Sequence, residues 1–151
     1  MYGHKKIIAI DVADPGVVKR TRGSLLKIIK KYADVVFANE EEIFCLTGKK
    51  QTEGLKELCT ITKTGVVKIG KEGALVGENG QISKIKGFKV NAVDTTGAGD
   101  MFAAGFLFGI THNYNTEQSA LIGNFAASKV VQQLGARVSC PLKDEIQHLF
   151  K

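Results

Sequence analysis

A chain of 151 residues with 44% apolar and 24% charged side chains is long enough for one domain with a real core, and its composition carries no sign of disorder. No apolar run is long enough to span a bilayer, and Met1-Tyr-Gly-His-Lys-Lys6 has neither the apolar stretch nor the cleavage site of a secretory leader, so a cytoplasmic protein with no membrane partner is expected. The net charge of +6 raises nucleic acid as a partner, but much of it (Lys19, Arg20, Arg22, Lys27, Lys30, Lys31) falls on one segment without interleaved aromatics and reads as the solvated side of an amphipathic helix.

Cys45, Cys59 and Cys140 are odd in number and widely spaced, which argues for reduced thiols rather than a metal or redox motif. His4, His112 and His148 form no ligand set and read as surface residues.

Lys6 to Val12 is a nearly continuous β-branched run, which suits a strand covered on both faces of a parallel sheet. Pro15 opens a helix on which Val18, Thr21, Leu25, Ile28, Ile29 and Tyr32 recur along one face, and a buried strand follows at Asp34 to Ala38. Strand, helix and strand in so few residues make a βαβ unit with a right-handed crossover. Glu40 to Leu46 is then a short helix stopped by Gly48. Asn39 and Glu42 fall on one side of its first turn, facing the carboxyl edge of the sheet, where ligands of open α/β sheets collect. The same two residues also read as a helix N-cap and its capping-box partner, and the two readings are compatible.

Thr52 to Cys59 reads as another short helix, and Gly65 to Ile69 as a strand leading into Gly70-Lys-Glu-Gly73. No Gly-x4-Gly-Lys-Ser/Thr or Gly-x-Gly-x-x-Gly pattern occurs, which excludes P-loop NTPases and dinucleotide binders by motif. Ala74 to Glu78 and Gln81 to Lys86 flank Asn79-Gly80, a two-residue hairpin signal, and Phe88 to Val93 returns as an apolar run with a strand end at Val93.

Asn91 to Gly109 is the stretch around which the chain is organised. After Thr95 and Thr96, the small residues Gly97, Ala98 and Gly99 stand where a helix begins, so its unpartnered backbone N–H groups and the positive end of its dipole make a cradle for an anion. Asp100 sits inside that cradle, close to where a transferring phosphoryl group would lie, as a base for a hydroxyl. The alternative is that Asp100 only caps the helix and the glycines only permit a turn. The helix behind, Met101 to Phe108, is apolar on every face and is expected to be buried.

Asn115 or Thr116 caps a long helix to about Leu134, with Ala120, Asn124, Ala127, Val131 and Leu134 in one stripe. Asn124 interrupts it as a buried amide in need of partners, a structural hydrogen-bonder or a ligand contact. Gly135-Ala-Arg-Val-Ser139 is a loop, and Pro141 opens a final helix, Leu142 to Phe150.

Asp94-Thr-Thr-Gly-Ala-Gly-Asp100, followed by Phe102, Ala104, Gly105 and Phe106, resembles the C-terminal signature of the ribokinase-like carbohydrate and nucleoside kinases, the PfkB family. The resemblance runs from Ile7 to Leu149 and corresponds to the C-terminal half of such kinases. It implies an α/β fold of the ribokinase-like three-layer α/β/α kind, with a mostly parallel sheet and an antiparallel hairpin at its edge, and one nucleotide-binding and catalytic domain over 1–151. It implies ATP and Mg²⁺, with Asp100 as catalytic base and the backbone of Gly97, Ala98, Gly99 and Asp100 as an anion hole. Asn39-Glu-Glu-Glu42 fits the Asn-Xaa-Xaa-Glu motif that helps hold magnesium and phosphate. Lys68, Gly70 and Gly73 fall on the segment that lies along the nucleotide, and Asn124 on a residue that contacts it. Asp94, Thr96, Val130, Gln133, Gly135 and Ser139 fall on positions around a monovalent cation such as K⁺. Of these, Gly135 and Ser139 match by residue, whereas Val130 and Gln133 offer only backbone carbonyls or local contacts.

Asp14-Pro15, Val36-Phe-Ala-Asn-Glu40 and Gly135-Ala-Arg137 look most like bacterial adenosine kinases, with ribokinase or fructokinase types as the alternative. The implied activity is phosphoryl transfer from ATP to a primary hydroxyl of a small-molecule sugar or nucleoside. A nucleotide-binding half without catalysis is the other reading. The N-terminal half, which supplies most of the sugar or nucleoside pocket, has no counterpart here, so an uncovered sheet edge is expected, with self-association or pairing with such a half.

Overall fold

The computed structural model describes residues 6–150; the histidine at position 4 and the first residues of the amino-terminal segment lie outside them. Its sheet has five strands in the order β1 (Ala9–Asp11), β2 (Val35–Asn39), β3 (Thr64–Lys68), β4 (Gly73–Glu78), β5 (Gln81–Lys86). β1, β2 and β3 run parallel, with Asp11 opposite Phe37 and Asn39 opposite Lys68. The few residues between β3 and β4 are too short for a parallel crossover, so β4 turns back antiparallel, and the Asn79–Gly80 turn returns β5 at the edge. The helices are α1 (Pro15–Tyr32), α2 (Glu40–Thr47), α3 (Gln51–Leu58), α4 (Ala98–Thr111), α5 (Thr116–Val130) and α6 (Lys143–His148). The fold is of the α/β class. Among the described residues no helix is long and apolar enough to cross a membrane.

By its internal contacts the chain divides into two compact units, residues 1–69 with 75–83, and residues 70–74 with 84–151. The first is a parallel α/β layer. β2 and β3 are buried along their length, because each has a strand on either side and Val36, Ala38 and Val67 pack in one core with Ile29, Ile43, Leu46, Leu55 and Leu58. Asp14 caps α1 by accepting the Val17 N–H at 2.9 Å, with Pro15 in the first turn where its missing N–H costs nothing.

β1 differs from the expectation. It has three residues rather than seven, and Ile7, Ile8 and Ala9 are exposed. The reason is its place in the sheet: only β2 lies beside it, so the β-branched run that reads as doubly covered is half bare. The apolar face of α1 is split likewise. Val18 and Ile29 are fully buried, whereas Ile28 and Tyr32 are left in solvent.

The second unit is built on α4 and α5. Gly105 and Gly109 of α4 meet the Ile122 carbonyl, the Gly123 Cα and Ser119 of α5, so the two helices approach more closely than larger residues would allow. Contrary to the all-round burial expected of α4, only Phe102, Gly105, Phe106 and Gly109 are fully buried, and Ala104 is exposed. A satellite cluster joins Ile122, Phe125 and Ile146 to Phe88, Phe108, Tyr114 and Phe150.

Three boundaries also move. Residues 88–93 form no strand, because the N–H groups of Val93 and Asp94 donate to the Val131 carbonyl, at 2.7 and 3.2 Å, in place of a ladder. α5 ends at Val130 rather than Leu134. The Gln133 N–H turns back to the Val130 carbonyl and Gly135 takes φ 86°, which leaves Leu134 81% exposed. α6 spans six residues rather than nine.

Candidate functional site

In the first unit three parallel strands end side by side, and the ends carry Asp11, Asn39 and Lys68. Asn39 caps α2, whose first turn holds Glu42. The Asn39 N–H donates to Glu42 Oε2 at 2.7 Å, Asn39 Nδ2 donates to Glu42 Oε1 at 2.9 Å, and the Glu42 N–H donates to Asn39 Oδ1 at 2.8 Å. The capping box is therefore complete.

Glu42 is only 6% exposed. Burial raises its pKa above the usual carboxylate value, the Asn39 N–H and the Lys68 charge pull it back, and Asp11 and Asp14 push it up further. Each Glu42 oxygen accepts one hydrogen bond and keeps an acceptor position free. Lys68 Nζ lies 2.8 Å from Asp11 Oδ2, a pair spanning β1 and β3 across the end of β2. Asp11 joins the site without a motif to announce it: its one signal in the sequence is an acidic residue at the very end of a strand, on the edge where ligands of open α/β sheets collect.

In the second unit, Gly97 is the N-cap of α4 with φ 78°, and a Cβ there would lie 2.6 Å from the Ala136 Cβ, so both conformation and space demand glycine. Of the orphan N–H groups in the first turn, that of Ala98 reaches the Thr95 carbonyl at 3.2 Å. Those of Gly99 and Asp100 have no acceptor among the described residues. The Asp100 carboxylate is exposed, makes no capping hydrogen bond, and has no ion-pair partner among the described residues. The reading of Asp100 as a mere cap thus has no hydrogen bond to support it. Two free donors and a free carboxylate share one helical turn, partly exposed rather than sealed in packed protein.

Asp94 fixes the approach to that turn. Oδ1 accepts the Thr96 N–H at 2.9 Å and Oδ2 the Gly135 N–H at 3.0 Å. The Thr96 side chain, then the Gly135 and Thr96 N–H groups, hold its pKa down at about 2. Of the six residues assigned to a monovalent cation, the structure brings Asp94, Thr96 and Gly135 together. The Val130 carbonyl accepts the Gln133 N–H, the Gln133 side chain donates to the Arg137 carbonyl, and Ser139 is exposed.

Gly70 and Gly73 separate by role. Gly70 has φ 58° with open space around it, while Gly73 has φ 106° and faces the Ile85 carbonyl, where a Cβ would sit 2.1 Å away. Asn124 spends both amide protons on the Ile85 and Lys86 carbonyls, at 3.0 and 3.1 Å, which leaves Oδ1 as its free acceptor. Among the described residues no group of three or more His, Cys, Asp or Glu could hold a metal ion.

The sequence profile of the pfkB family carbohydrate kinases matches residues 4–143. A ribokinase of Staphylococcus aureus (strain COL) is 33% identical over 146 residues, which are 91% of this chain and 47% of the relative. The crystal structure of adenosine kinase from Sinorhizobium meliloti superposes with a TM-score of 0.90 at 32% identity, over 97% of this chain and 46% of that one. A fructokinase from Vibrio cholerae O395, solved with fructose, ADP and a calcium ion bound, gives 0.82 at 25% identity, over 96% and 51%. The chain spans about half the length of the relatives it matches.

Proposed function

The chain belongs to the pfkB family of carbohydrate kinases, and from that premise we propose that it carries the nucleotide-binding and catalytic part of an ATP-dependent phosphotransferase acting on a primary hydroxyl of a sugar or nucleoside. The observation that carries the proposal is the first turn of α4: the Gly99 and Asp100 N–H groups unspent, and the Asp100 carboxylate unpaired among the described residues.

In this mechanism the Asp100 carboxylate takes the hydroxyl proton as the oxygen attacks the γ-phosphorus and ADP leaves. The N–H groups of Gly97, Gly99 and Asp100, at the positive end of α4, stabilise the charge spread over the equatorial oxygens, that of Ala98 being held by the Thr95 carbonyl. Mg²⁺, when bound, neutralises the phosphates. It would take help from Glu42 and Asn39 through the acceptor positions left on the Glu42 carboxylate, no all-protein cage being found among the described residues. Lys68 is a cation for the phosphates that Asp11 holds in place. Asn124 offers the adenine only an acceptor, Oδ1. A K⁺-type cation would be held by Asp94, Thr96, Gly135 and Ser139 with carbonyls of Val130 and Gln133. The setting is the cytoplasm, where ATP is supplied.

An adenosine kinase-like acceptor is favoured by the likeness to the Sinorhizobium meliloti enzyme, and ribose or fructose is the alternative from the other relatives. A second reading is nucleotide binding without turnover. Titration with ATP and Mg²⁺, followed by phosphorylation assays on adenosine, ribose and fructose, separates them. Saturable binding with transfer to one acceptor supports the kinase, binding without transfer supports the second reading, and no nucleotide binding ends both.

A further inference from the structure

Asp11 closes β1 with both carboxylate oxygens engaged. Oδ1 accepts the Ala13 N–H at 3.3 Å, in a turn that puts Ala13 at φ 63°, and Oδ2 accepts from Lys68 Nζ at 2.8 Å. In the sheet register Asp11 stands level with Phe37 and Lys68 with Asn39, so the two side chains leave the same face and the lysine stem spans the stagger between them. The Lys68 and Asp11 side chains are 16% and 32% exposed, which screens their pairing less than that of a fully solvated pair.

The charged groups that act on the buried Glu42 carboxylate are Lys68, as an attraction, and Asp11 and Asp14, as repulsions. One ammonium therefore serves three carboxylates at this end of the sheet, and Asp11 already holds it. Even with Glu42 protonated, the balance of these four groups is negative. A metal-free polyphosphate arriving here meets the carboxylates as like charges, and Lys68 reaches it only by loosening from Asp11. With magnesium on the phosphates, about half of the ligand's charge is cancelled, and the same carboxylates turn from repulsive to attractive towards the cation and its water.

We propose that Asp11 is a positioning residue that makes this strand edge select the magnesium complex of a nucleoside triphosphate over the metal-free form, by holding the Lys68 ammonium and keeping the edge negative. The inference rests on the nucleotide-binding reading of this edge and adds to it a residue that sets which form of the nucleotide is taken. A role confined to folding would act on both forms alike, whereas a role in selection changes their ratio.

Calorimetric titration of this chain with ATP in excess EDTA, and with ATP in excess Mg²⁺, reads the two affinities. The parent is expected to prefer the magnesium complex by about ten-fold or more. Asp11→Asn removes a charge and loosens Lys68. It is expected to tighten the metal-free form by about ten-fold and to change the complex by less than about three-fold, so that the preference shrinks. Asp11→Glu, which keeps the charge, is expected to retain most of the preference. In a Lys68→Gln background the gain from Asp11→Asn should fall to about three-fold or less, because part of the Asp11 effect runs through the lysine. A preference unchanged by Asp11→Asn, two affinities that fall together, or a gain undiminished without Lys68 would overturn the inference and leave nucleotide binding standing. A parent chain that binds neither form would end the nucleotide-binding reading itself, and this inference with it.

Discussion

The first turns of α2 and α4 meet the same physical problem and treat it in opposite ways. Both have orphan N–H groups and an acidic residue at the third helical position, Glu42 in one and Asp100 in the other. At α2 the acid reaches back to Asn39, the cap is closed by three hydrogen bonds, and the carboxylate is buried. At α4 the cap is a glycine with no side chain to give, the Gly99 and Asp100 donors stay unspent among the described residues, and the carboxylate stands in solvent. A helix start that satisfies itself adds stability. One left unsatisfied on an accessible surface keeps its binding capacity for something else.

That contrast makes stability and activity separable. Asp100→Asn is expected to lower turnover of the active assembly by about 10²–10⁴-fold, the range for a general base, with nucleotide affinity and melting temperature nearly unchanged. Steady-state kinetics beside calorimetry reads both, and loss of nucleotide binding with turnover would break the contrast by making Asp100 structural. Glu42→Ala should do the reverse to the fold. Opening the capping box that the buried Glu42 makes with the half-buried Asn39 should cost about 1–2 kcal/mol in denaturant unfolding, and a variant as stable as the parent would show that the box does not matter.

Smaller effects follow from pH. Because Asp94 is held down at about 2, below its ordinary 3.8, its contribution is present above the ordinary value and is lost as pH falls through about 2. Glu42 is shifted the other way, so its ionisation opposes folding as pH rises through the ordinary value towards its raised one. The melting-temperature gap between the parent and Asp94→Asn should therefore be widest near pH 6 and close towards pH 2; a gap constant across that range would contradict the account of the Thr96 and Gly135 hydrogen bonds. The smallest effect belongs to Ser119, whose buried Oγ has no hydrogen-bond partner among the described residues and packs against Gly109. Ser119→Ala should raise stability by up to about 1 kcal/mol, and a loss would reveal a hidden partner.

Much of this was legible beforehand because it is local. The Asn39–Glu42 spacing is itself a capping box, Asn79-Gly80 is itself a hairpin turn, and Gly97 to Asp100 is itself a helix start short of side chains. What was not legible depends on neighbours in space. β-branched composition reads as a covered strand whether or not a second neighbour exists, so β1 was overextended. Periodicity cannot tell which part of a wide apolar face is buried, so on α1 it groups the exposed Ile28 and Tyr32 with the buried Ile29. The Lys68–Asp11 pair joins residues 57 apart, and no spacing rule reaches that far. Gly73 reads as a loop glycine, although the crowding by Ile85 that requires it comes from the far strand of the hairpin.

The central claim concerns two backbone N–H groups, and amide NMR observes both. A titration with a non-hydrolysable ATP analogue and Mg²⁺ is predicted to shift the Gly99 and Asp100 amide resonances saturably, while adenosine, which lacks the phosphates, leaves them in place. Saturable nucleotide binding that leaves those two amides unmoved would contradict it.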